Sequence, residues 1–115
     1  MRKTDKKIDN ALRISLTTLC DRAQDEFIGF EWITHLVDYS SFPKSLMIVC
    51  VFDTEQHLLQ ADTLLLTKWI NKALVEAKVN VKDINKHVTF DTEESCHLMN
   101  QGQWSERFKR ITRLR

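Results

Sequence analysis

The stretch Leu46-Met47-Ile48-Val49-Cys50-Val51-Phe52-Asp53-Thr54-Glu55 decides the fold. Its first seven residues are apolar without interruption, and several are β-branched. The run is too short to span a bilayer, which takes about 20 apolar residues. It suits a strand buried on both faces, because a half-exposed strand would alternate apolar with polar residues. Asp53 ends the run. A carboxylate or hydroxyl there accepts the free N–H groups of a helix's first turn, and Gln56 follows three residues after Asp53. The segment reads as a central strand passing directly into a helix.

Toward the C-terminus, that helix is expected to run to about Lys78. Leu58, Leu65, Trp69, Ala73 and Ala77 mark its buried stripe, widened by Leu59, Leu66, Ile70 and Leu74. Val79 to Asn85 is a connector. His87-Val88-Thr89-Phe90 reads as a third strand, leaving through the acidic turn Asp91-Thr92-Glu93-Glu94. A helix between two strands implies a right-handed parallel crossover. Residues 95–103 contain Asn100-Gln101-Gly102, which favours a turn or a short hairpin. Ser105 is placed to cap a last helix, docked through Trp104, Phe108 and Ile111 at i, i+4 and i+7.

Toward the N-terminus, Phe30 to Val37 is aromatic and β-branched and reads as a strand. Phe30, Trp32, Thr34 and Leu36 are expected on one face, with Glu31, Ile33, His35 and Val37 on the other. Residues 5–28 form an amphipathic helix with Ile8, Leu12, Leu16, Leu19, Ala23 and Phe27 on one stripe. Gly29 is its expected stop. The order is therefore α-β-β-α-β-α. The expected architecture is a single α+β domain over residues 1–115, with a three- or four-stranded mixed sheet and helices mainly on one face.

Composition agrees. The chain has 115 residues, 43% hydrophobic and 29% charged, enough for one domain with a core. Gly and Pro number 2 and 1, against a combined usage of about 12% in typical proteins. This scarcity disfavours a many-turned sandwich and a Gly-rich phosphate loop. Cys20, Cys50 and Cys96 are odd in number and lack C-x-x-C spacing, so free thiols in a reducing cytoplasm are expected. No signal-peptide or membrane-spanning pattern is visible, and no membrane partner is expected.

The net charge of +1 is unevenly spread. Residues 2–9 carry four bases against two acids, and residues 104–115 carry five against one; the middle has eight bases and thirteen acids. On a helix from Ser105, Arg107, Arg110 and Arg113 fall at i+3 spacing, away from the docking residues. With Lys109 they would form a positive stripe for a phosphate backbone or an acidic protein surface. Trp104 and Phe108 would anchor it.

A second constellation is acidic. Phe-Asp-Thr-Glu occurs at Phe52-Asp53-Thr54-Glu55 and again at Phe90-Asp91-Thr92-Glu93, each time as a strand exit. If the strands are parallel neighbours, Asp53 and Asp91 leave the same sheet edge. With Glu55, Glu93 and Glu94 they would hold Mg²⁺ or Mn²⁺, which take oxygen ligands and activate water. Alternatively, these residues cap helices and turns. His35, His57, His87 and His97 show no zinc-ligand spacing. No nucleophile-elbow, P-loop or dinucleotide motif is present.

Met1-Arg2-Lys3-Thr4-Asp5-Lys6-Lys7, Val49-Cys50-Val51-Phe52-Asp53-Thr54 and His87-Val88-Thr89-Phe90-Asp91-Thr92-Glu93-Glu94 together resemble a small family of bacterial cytoplasmic proteins sometimes labelled Fis-family transcriptional regulators. The resemblance covers most of the chain and implies a bacterial, cytoplasmic, regulatory protein. It carries over no functional residues. The tail from Trp104 to Arg115 holds one helix, whereas a helix-turn-helix reader needs two.

Three functions are thus expected. The first is a non-enzymatic regulatory or adaptor module binding a nucleic acid or protein through Trp104, Arg107, Phe108, Lys109, Arg110 and Arg113. The second is a metal-dependent phosphodiester or phosphate hydrolase built on Asp53 and Asp91, with Glu55, Glu93 or Glu94 as ligand or base. The third is a homodimeric scaffold using the aromatics Trp32, Tyr39 and Phe42.

Overall fold

The computed structural model describes residues 2–113, with side chains described as far as Ile111. Three strands, β1 (Phe30–Leu36), β2 (Met47–Phe52) and β3 (Val88–Thr92), form one mixed sheet with β2 in the middle. β1 pairs antiparallel with β2, and β3 pairs parallel with it. All six β2 residues are buried, as the unbroken apolar run requires. Five α-helices are described: α1 (Lys3–Glu26), α2 (Glu55–Gln60), α3 (Thr63–Glu76), α4 (Glu93–Asn100) and α5 (Trp104–Arg113). The α+β class and the mixed sheet are as the sequence implies.

The two faces of β2 build two apolar clusters. Ile48, Cys50 and Phe52 pack with Leu12, Leu16 and Leu19 of α1 and with Leu66, Ile70 and Leu74 of α3. Met47, Val49 and Val51 face the other way, toward Trp32, Leu36, Trp104, Phe108 and Ile111. The two long helices therefore share one face, and the short α5 covers the other. Fully burying one such aliphatic side chain contributes about 1.5–3 kcal/mol, so a strand buried on both sides is the heart of the fold.

Four local expectations are corrected. The helix after β2 is two helices, because Ala61 is extended and the Asp62 carboxylate accepts from Leu65 N at 3.0 Å to start a new one. The break resets the helical phase. Leu66, Ile70, Ala73, Leu74 and Ala77 point inward, while Leu59 and Leu65 of the expected stripe are exposed. In β1, the register shifts between Phe30 and Trp32. This bulge sends Phe30 to the α1 side with Ile33, and Trp32 to the α5 side. Residues 95–103 do not form a hairpin. Thr92 Oγ1 accepts from Ser95 N at 3.0 Å, so the acidic turn starts α4. Finally, α5 begins at Trp104, one residue before the expected cap.

At Gly29 the chain turns from α1 into β1 with φ +83°, as its expected role as a stop requires. The turn also brings Gly29 against the exit of β2, where Asp53 N donates to Gly29 O at 2.8 Å.

Candidate functional site

Parallel pairing does bring both Phe-Asp-Thr-Glu exits to one sheet edge, but two residues out of step. Val51 pairs with Asp91 and Phe52 with Thr92. At about 3.3 Å per residue along a strand and about 4.8 Å between strands, Asp53 and Asp91 are separated by roughly 8 Å. Their carboxylates have different partners. Asp91 is gripped by Arg107, with Nε donating to Oδ2 at 2.6 Å and Nη2 to Oδ1 at 2.8 Å. Asp53 Oδ1 accepts from Thr54 N at 2.6 Å and meets His57 Nδ1 at 2.7 Å. The expected convergence of Asp53 and Asp91 is therefore not present. No group of three or more His, Cys, Asp or Glu side chains among the described residues is placed to hold a metal ion.

Glutamates of the two exits bond across to each other's helix starts. Thr92 Oγ1 donates to Glu55 Oε1 at 2.7 Å, and Ser95 Oγ donates to the same oxygen. In return, Glu94 Oε1 accepts from Glu55 N at 2.9 Å. These hydroxyl bonds, against some burial, hold Glu55 below the usual carboxylate range, and the Arg107 charge adds to the effect. Glu93 turns toward α5 instead, accepting from Trp32 Nε1 at 2.6 Å and Trp104 Nε1 at 3.2 Å. The repeated motif is a reciprocal joint between two helix starts.

The basic stripe is also redrawn. Arg107 points inward, with its side chain 13% exposed, and its Nη1 donates to Asn100 Oδ1 at 3.0 Å. Trp104 and Phe108 pack on Trp32, with ring centroids 4.8 Å and 6.3 Å from its own. They anchor α5 to the sheet. Lys109 and Arg110 are exposed, and Lys109 Nζ lies 3.2 Å from Glu106 Oε1. The Arg113 side chain lies outside the described residues. Of the aromatics expected in a dimer contact, Trp32 is half-buried under α5, while Tyr39 stacks on Phe42 at 5.5 Å and donates to Asp9 Oδ1 at 2.6 Å.

A cleft lies at the corner of α1, α2 and α3. This open cleft of about 310 Å³ is lined by Glu26, Phe27, Ile28, His57, Gln60, Ala61, Asp62, Leu65 and Trp69. The helix break at Ala61 and Asp62 forms one wall. Two apolar side chains of its lining are open to solvent, Ile28 at 77% and Leu65 at 39% exposed. Clustered apolar exposure of this kind marks interaction surfaces more than scattered exposure does.

His57 lines this cleft and belongs to a dyad. Burial opposes ionisation of Asp53, but its bonds with His57 and Thr54 prevail and hold the carboxyl below its usual range. A carboxylate only accepts, so His57 Nδ1 carries the proton between them and donates to Asp53 Oδ1. Gly29 makes room for the pair. A Cβ there would meet Asp53 Oδ1 and lie 2.5 Å from His57 Nδ1. Neither the cleft nor the dyad is among the sequence-derived sites. The i, i+4 spacing of Asp53 and His57 was the available signal, but it required the helix to start at Thr54.

Among the described residues, no helix is long and apolar enough to cross a membrane. All three cysteines are free, with Cys50 and Cys96 buried. Comparison with protein-family models, curated proteins and solved structures finds no match in any of the three.

Proposed function

We propose that the chain is a non-enzymatic regulatory or adaptor module that docks on a protein through the α1–α2–α3 corner. The observation that carries this reading is the open cleft lined by the exposed Ile28 and Leu65. Exposing large apolar side chains to water has a free-energy cost, which a partner would recover by covering them. The placement of the charged residues supports a protein over a nucleic acid. Arg107, the first member of the expected phosphate-tracking stripe, is spent on Asp91. The acidic exits, in turn, cap helices and receive indole N–H groups.

The test is site-specific photo-crosslinking in cells that make the protein, with a benzophenone side chain at Leu65 or at the exposed α1 residue Ile14. The expected result is a discrete protein adduct from Leu65 that disappears with Ile28→Glu. No adduct, or the same adducts from Ile14, overturns the reading. Labelled DNA and RNA at about 50 mM and about 200 mM salt give the counter-test. Tight binding that collapses with salt would return the function to the basic helix.

A further inference from the structure

We propose that the α1–α2–α3 cleft receives a basic segment of the partner. One apolar side chain of the segment seats against Ile28, Leu65 and Trp69, while a neighbouring Lys or Arg faces Glu26 and Asp62. The inference rests on the docking reading above and specifies the partner's chemistry.

Two observations select this occupant. The first is size. About 310 Å³ is at the low end of ligand pockets, suited to one or two side chains rather than a folded surface. The second is charge. The lining includes the carboxylates of Glu26 and Asp62 and neither Lys nor Arg. Asp62 uses Oδ1 to cap α3 and retains Oδ2. Arg22 borders the cleft but is stacked on Trp69, its Cζ 3.8 Å from the ring centroid, leaving the two carboxylates in excess. An anionic segment would meet these carboxylates, whereas a basic one complements them.

Two short amphipathic peptides of the same pattern serve as probes, one of Leu and Lys and the other of Leu and Glu. Each is titrated into the full chain and followed by backbone amide signals and the His57 ring nitrogens. The Lys peptide is expected to shift Ile28, Gln60 and Leu65 together with the His57 ring signals, more strongly at low salt. Glu26→Lys is an exposed change with no role in the core, and it should weaken binding roughly fivefold. The proposal is overturned if the Glu peptide binds as well, if the Lys peptide shifts only other regions, or if dilution alone moves the cleft signals, since that assigns the cleft to a second copy. Failure of the Lys peptide while the Leu65 crosslink persists rejects the partner's basic chemistry and leaves the docking reading intact. Loss of both rejects both.

Discussion

Arg107 holds Asp91 with two parallel hydrogen bonds of 2.6 Å and 2.8 Å, joining α5 to the end of β3. Both side chains are nearly enclosed, at 13% and 11% exposure. The guanidinium fork matches the carboxylate geometrically as well as electrically. Thus a cation placed by sequence spacing on a solvent stripe serves instead as the bolt of the C-terminal helix.

Removing one partner leaves a largely buried charge unpaired. Arg107→Ala and Asp91→Ala are each expected to destabilise the fold by about 3 kcal/mol, measured by urea unfolding. Arg107→Lys should recover only part of this, because an ammonium lacks the fork. A neutral Arg107→Ala would reassign the residue to the surface.

Gly29 and Gly102 both have positive φ, but only Gly29 is crowded. A Cβ at Gly29 meets Asp53 and His57, whereas at Gly102 it meets nothing within 4 Å. Gly29→Ala is expected to cost about 3 kcal/mol and Gly102→Ala about 1 kcal/mol, from backbone strain with and without a clash. Thermal melts of the two variants provide the comparison. Gly29→Ala should also disturb the His57 ring signals, and Gly102→Ala should not.

Acid should loosen the join between α1 and β1. His35 Nε2 and Tyr39 Oη meet Asp9 Oδ1 at 2.8 Å and 2.6 Å, and Arg13 Nη2 donates to Oδ2 at 2.7 Å. The bonds from His35 and Tyr39 outweigh burial and hold the Asp9 carboxyl well below the usual range. Its folded value lies below its unfolded one, so the unfolded state binds the proton more readily. The stabilisation is present above about pH 4 and is lost as pH falls below it. Urea midpoints between about pH 3 and 6 should fall with acid in the native chain and fall less steeply in Asp9→Asn.

Thiol labelling should follow burial. Burial pushes the Cys50 and Cys96 thiols up, and the half-buried Cys20 less completely escapes solvent. A thiol reagent near neutral pH is expected to modify Cys20 slowly in the folded chain and all three cysteines in denaturant. Rapid native labelling of Cys96 would mean that α4 opens readily.

Much of the architecture is legible along the chain. The β2 run, the α1 stripe from Leu12 to Phe27 and the Gly29 stop depend on near neighbours, so their spacing is sufficient. The pairing of β2 with β3 follows from the helical crossover between them. The candidate site is far less legible. Leu65 appears buried when α2 and α3 are read as one helix, and becomes part of an exposed cleft only because Asp62 starts a new phase.

By itself, the sequence determined the α+β class, the element order and the strand buried on both faces, because hydrophobic periodicity is a local property. Only the tertiary structure decided the use of the charged residues. Asp91 meets an arginine 16 positions away, Glu55 receives a hydroxyl 37 positions away, and Trp32 meets a glutamate 61 positions away. Each of these polar groups has several possible partners along an extended chain. Which one it takes is set by strand register and helix phase, and those are fixed when the apolar faces pack together.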